Sequence, residues 1–112
     1  MGKGDYLGEF EQMVLLAVLQ QGDAGYGMSI RREIEGRTGR DVTIGAVYAT
    51  LDRLETKGLV RSMEGASEPV RGGRARRHFQ ATPEGVEALA TARRMMERMW
   101  DGVDVPGVGG GG

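Results

Sequence analysis

The stretch that decides the fold runs from Asp41 to Thr82, where DVTIGAVYATLDRLETKGLVRSMEG (41–65) leads through a short link into PVRGGRARRHFQAT (69–82). Ile44, Val47, Leu51 and Leu54 recur at steps of three, four and three, the spacing of one helix face, and Thr43 stands where a capping hydroxyl belongs. Gly58 follows as a stop. Leu59 to Glu64 and Arg76 to Ala81 can pair as strands, with Gly65, Pro69, Gly72 and Gly73 predicting a loop between them. Arg71, Arg74, Arg76 and Arg77 fall close together with no acid among them.

Upstream, Phe10, Met13, Val14, Ala17 and Val18 repeat at helical spacing, and Leu15, Leu16 and Leu19 widen the apolar face. A largely buried helix from Phe10 to Gln21 is expected. Gly22, Asp23, Gly25 and Gly27 break it. A second helix is predicted from about Tyr26 to Thr38, with Met28, Ile30 and Ile34 inward and Gly39 as its stop. Downstream, Thr82-Pro83-Glu84 combines a capping hydroxyl, a proline where no N–H is missed and an acid at the positive helix end. It starts a fourth helix reaching about Asp101.

The fold class is therefore mainly α with a small β-hairpin. Two helices joined by a short turn, followed by a basic hairpin, make a winged helix-turn-helix. The expected organisation is a DNA-binding unit over residues 1–82, a C-terminal dimerisation helix over 83–101 and a disordered Gly-rich tail over 102–112.

Composition narrows the function classes. With 39% apolar and 28% charged residues, the chain is an ordinary globular one. It has no cysteine and a single histidine, so neither disulfides nor a transition-metal cluster is expected, and a cytoplasmic address fits. The longest apolar run, Met13 to Leu19, is too short to span a membrane, and no membrane partner is expected. His78 has no nucleophile beside it, and the acids lie on helix faces among arginines, so neither an enzyme nor a cofactor is predicted. The net charge is −1, yet residues 31–77 carry +4 between acidic flanks of −3 and −2. Positive charge is concentrated where the third helix and the hairpin lie.

That placement points to double-stranded DNA. Gly45, Tyr48, Ala49, Asp52 and Arg53 lie opposite the apolar stripe of the third helix, with Ala46 near its start. Small residues let a helix approach the major groove, while Tyr48 and Arg53 can reach a base edge or a phosphate. The arginine hairpin adds affinity with little sequence information, because each phosphate it neutralises releases counterion. The fourth helix carries Val86, Leu89, Ala90, Ala92, Met96, Met99 and Trp100 in a stripe longer than a three-helix core can cover. A second copy would cover it, with Phe10 and Val14 of the first helix beside it, and a symmetric pair would set two reading helices ~34 Å apart. Met95, Met96, Met99 and Trp100 also suit a small apolar or aromatic effector.

The segments YGMSIRREIE from Tyr26, IGAVYATLDRLETKGLV from Ile44 and GRARRHFQATPEG from Gly73, together with FEQMVLLAVL, resemble the PadR family of bacterial transcriptional regulators. The resemblance extends from Leu7 to about Trp100. It implies a winged-helix homodimer that represses transcription and often responds to a small molecule. It also places the family's recognition-helix tyrosine at Tyr48, its YG pair at Tyr26 and Gly27, and its basic wing at Arg74, Arg76 and Arg77. With one helix after the wing, the chain resembles the compact subgroup, in which an effector pocket would be built from the first and fourth helices of two subunits. The alternative reading keeps the fold but makes it a protein–protein interaction module without specific DNA binding.

Overall fold

The computed structural model describes residues 6–69 and 75–106. Three helices form the body: α1 (Glu9–Gln21), α2 (Gly27–Thr38) and α3 (Ile44–Thr56), with a 3₁₀ turn at Gly22–Ala24 between the first two. Strands β1 (Val60–Pro69) and β2 (Ala75–Ala81) pair antiparallel, and α4 (Pro83–Trp100) closes the order. The helix starts are fixed by short polar contacts. Thr43 Oγ1 accepts the N–H of Ala46 at 3.1 Å, Thr82 Oγ1 accepts that of Gly85 at 3.0 Å, and Glu11 reaches back to the N–H of Gly8. At the end of α2, Gly39 adopts φ +74°, a conformation that costs glycine little.

The core takes one face from each helix: Val14, Leu15 and Val18 from α1, Ile30 and Ile34 from α2, and Val47, Leu51 and Leu54 from α3. Val60, Phe79 and Leu89 seal it from the hairpin and α4. Among the described residues fifteen apolar side chains are buried, and the one buried polar residue is Thr50, whose hydroxyl accepts from Arg53. The hairpin is tied to the helical body through its second strand, where the N–H of Phe79 donates to the carbonyl of Gly25 at 2.9 Å.

Two expectations need correction. Leu16 and Leu19 are 47% and 42% exposed rather than inward. At 100° per residue they stand on the side of α1 opposite Val14, Ala17 and Val18, and only that latter side meets α2, α3 and the hairpin. The first strand also runs beyond Glu64 to Pro69, where a loop was expected. Its register steps from Glu64 opposite Arg77 to Pro69 opposite Ala75, so the extra residues of β1 form an irregularity within the strand and not its end.

Candidate nucleic-acid interface

The outer face of α3 is open. Gly45, Ala46, Tyr48, Ala49, Asp52 and Arg53 are exposed along it, while Val47, Leu51 and Leu54 fill the opposite side. Thr43, also exposed, spends its side-chain oxygen on the helix cap. Tyr48 keeps 40% of its surface, and its ring lies over the start of α2. A Cβ placed on Gly27 would come within 2.3 Å of the Tyr48 Cζ, so the missing side chain at position 27 is the seat of this ring. Tyr26, the residue before that seat, is half-buried and tilts against His78 of β2 with ring centroids 6.1 Å apart. Tyr26, Gly27, Tyr48 and His78 thus bring α2, α3 and the hairpin together at one point.

Arg53 and Arg77 occupy opposite flanks of α3. Arg53 Nη2 donates to Thr50 Oγ1 at 3.2 Å, and its Nε lies 3.7 Å from Glu11 Oε2. Lys57 Nζ meets the same carboxylate at 2.9 Å. Burial works against the charge of Glu11, but the N–H of Gly8, the hydrogen bond and charge of Lys57 and the charge of Arg53 outweigh it. Together they hold the Glu11 carboxyl below its ordinary value. On the other flank Arg77 Nη2 bonds Glu55 at 3.1 Å and Ser62 at 3.2 Å, and its guanidinium lies 5.1 Å from the centroid of Phe79. Arg77 is therefore anchored at the root of the hairpin. Arg71 and Arg74, and the side chain of Arg76, lie outside the described residues, as does the tail from residue 107.

The stripe on the fourth helix divides. Leu89 and Ala92 are buried against the helical core, and Val14 on α1 has no exposure at all. Of the residues expected to face a partner or an effector, Val14 and Leu89 therefore serve the protomer's own core, and Phe10 packs partly against it. Val86, Met95, Met96, Met99 and Trp100 remain open, Met99 to 73%. Leu16 and Leu19 add to the open apolar surface from α1. A shallow cavity of about 430 Å³ lies elsewhere, on α2 and the end of α1, and its lining of Gln21, Ser29, Arg32, Glu33, Gly36 and Arg37 is polar.

Two features of the site escaped the sequence. Glu11 reads in the sequence only as an acid on the first helix, because its partners Arg53 and Lys57 stand far along the chain. Gly27 reads in the sequence as part of a turn, and the spacing of neither helix shows that it seats Tyr48. The Gly8–Glu11 spacing marks Glu11 as a helix-cap partner but not as a partner of Arg53 and Lys57; the glycine directly after Tyr26, at a helix start, is the available sign for Gly27.

A helix pair with an exposed second helix and an antiparallel hairpin beside it is the winged helix-turn-helix, a DNA-reading fold. Residues 15–91 match the transcriptional regulator PadR-like family, and the chain belongs to that family. Transcriptional regulator Rv3488 of Mycobacterium tuberculosis is 40% identical over 74 residues, covering 66% of this chain and 64% of the relative. The match thus spans less than two thirds of that relative's length. Among solved structures, RosR of H. salinarum superposes with a TM-score of 0.66 at 27% identity over 93% of this chain and 84% of its own. A winged-helix DNA-binding protein from STIV does so at 0.65 and 18%, over 85% and 95% of the two chains, which is a likeness of fold alone. Family membership makes the chain a transcriptional regulator and not an enzyme. Among the described residues no helix is long and apolar enough to cross a membrane, and no group of three or more His, Cys, Asp or Glu could hold a metal ion.

Proposed function

We propose that the chain is a dimeric, sequence-specific repressor that binds operator DNA through α3 and is released by a small apolar or aromatic effector. The observation that carries this reading is the open face of α3, where Gly45, Ala46 and Ala49 keep the helix backbone accessible and Gly27 seats Tyr48 at the edge of that face. Tyr48 reads or positions, with Thr43 and Tyr26 flanking it. Arg53, Arg71, Arg74, Arg76 and Arg77 neutralise phosphates. Pairing falls to the second half of α4, because Met96, Met99 and Trp100 leave an apolar face uncovered by their own chain. On this reading, residues 1–82 read DNA and 83–101 join two copies. An effector would lodge among the same Met and Trp side chains once a second copy encloses them.

Titration of the chain with duplexes from its own promoter tests the reading. Binding is expected to be specific and salt-sensitive, and Tyr48→Ala is expected to weaken it about tenfold. The double change Arg74→Ala and Arg76→Ala should weaken all duplexes alike and lower the salt slope by about 2. Equal, weak binding to every duplex would remove the claim of specificity. Sedimentation velocity tests the pairing: a mass of two chains that Met99→Glu reduces to one is expected. A monomer at all concentrations, with no DNA affinity at moderate salt, would favour a protein-interaction module instead.

A further inference from the structure

A carboxylate stands at the centre of the face that α3 offers to solvent. Gly45, Ala49, Asp52 and Thr56 follow one another at steps of four, three and four, which aligns them on one stripe of the helix, and all four are exposed. Asp52 is the charged member of that stripe. An acid aimed at a polyanion is repelled, and the ordinary remedy is a neighbouring cation. The helical positions three and four residues away hold Tyr48, Ala49, Glu55 and Thr56, none of them basic. Arg53, next in the chain, is drawn to the far flank by Thr50 and Glu11, and Lys57 is bound to the same Glu11 carboxylate at 2.9 Å. Asp52 makes no hydrogen bond or ion pair among the described residues. The residues on its N-terminal side, Gly45 and Ala49, project nothing beyond a methyl group, so the helix can close on a groove until this short side chain reaches the base edges.

We infer that Asp52 is a specificity-determining residue, accepting a hydrogen bond from the exocyclic amino group of a cytosine in the major groove. This rests on the reading of α3 as the helix that enters that groove. The cytosine N4 amino group is a donor that a carboxylate matches. Guanine presents N7 and O6 and thymine presents O4, all acceptors that a carboxylate opposes. Adenine sets an acceptor, N7, beside its amino group, so one carboxylate oxygen would meet a lone pair. Asp52 therefore works largely by exclusion: its uncompensated charge penalises every site that lacks the donor at that position.

The test is enrichment of a randomised duplex pool on the wild-type chain and, in parallel, on Asp52→Asn and Asp52→Ala. Fluorescence anisotropy then follows on the enriched duplex and its single-base variants. The wild type is expected to enrich one C·G pair and to lose about tenfold in affinity when that pair alone is changed. Asp52→Asn should move that single position towards adenine, whose N6 and N7 an amide matches, and Asp52→Ala should leave it degenerate with the remaining positions unchanged. If both variants enrich the wild-type sequence and bind it uniformly tighter, Asp52 is a repulsive charge and the inference is overturned. A wild-type chain that enriches no sequence overturns the reading of α3 itself, and the inference with it. Thermal melts of both variants are expected to fall no lower than that of the wild type, since the side chain is exposed and unbonded and alanine is the better helix former.

Discussion

α3 and α4 begin alike, each with a threonine hydroxyl accepting an N–H from the first turn and an apolar stripe at steps of three and four residues. Their stripes meet different fates. In α3, Val47, Leu51 and Leu54 are covered completely by the same chain. In the α4 stripe only Leu89 and Ala92 are buried; Val86 before them and Met95, Met96, Met99 and Trp100 beyond them face solvent. An apolar stripe specifies that a surface has to be covered; its position in the chain decides whether the protomer can supply the cover. The cover comes from α1 and β2, and it reaches none of residues 93–100.

The largest expected effect separates the two stripes. Leu51→Ala should cost about 2–5 kcal/mol of folding stability in denaturant titration, the range for a leucine truncated in a closed core. Met99→Ala, in chain dilute enough to be monomeric, should change stability by no more than about 0.5 kcal/mol. An equal loss for both would mean that the second half of α4 is covered within one protomer, and the contrast would fail.

A second pair uses glycine. A Cβ on Gly85 would lie 2.2 Å from the backbone oxygen of Leu59, which cannot swing aside, whereas nothing lies within 4 Å of a Cβ on Gly45. Gly85→Ala is expected to destabilise by about 1–3 kcal/mol. Gly45→Ala should instead stabilise by about 0.5–1 kcal/mol, the usual preference for alanine within a helix. Thermal melts of both variants check the difference in sign.

The two caps differ less. Thr43→Ala should cost about 1 kcal/mol. Thr82→Ala should cost more, because its hydroxyl also donates to the Gly58 carbonyl at 2.7 Å. Equal losses would show that this second bond adds nothing to the attachment of α4.

The smallest effect concerns the tie between α1 and the end of α3. The Glu11 carboxyl is held below its ordinary value of 4.5, so it contributes stability above that pH and loses it as pH falls through the lowered value. Unfolding measured from neutral pH into that acid range should show this loss in the wild type and a shallower one in Glu11→Gln. Identical profiles would discard Glu11 as a contributor.

Most of this architecture was legible because it is local. The steps of Ile44, Val47, Leu51 and Leu54 fixed α3, and Thr82 with Pro83 fixed the start of α4. Leu16 and Leu19 show where pattern reading gives out, since an all-round apolar helix does not declare which side its neighbours take. Val14 and Leu89 failed in the opposite sense: apolar spacing does not tell a side chain that serves its own core from one offered to a partner. The extension of β1 depends on an irregular pairing, which simple alternation does not encode. In the candidate site, Tyr48 and Arg53 could be placed on their face from α3 alone. The anchoring of Arg53 by Glu11 and of Arg77 by Glu55 arises from tertiary contacts and has no counterpart in the spacing of either residue.

Gly27 and Tyr48 belong to different helices, yet the room one leaves is the room the other fills. A methyl group added at position 27 would push the phenol outward by altering its support, with every residue of α3 unchanged. The two positions therefore form a single heritable character. Relatives with a bulkier residue at the α2 position are expected to carry a smaller or differently angled one on α3, and a lineage could retune which DNA it recognises through a substitution that never touches the nucleic acid.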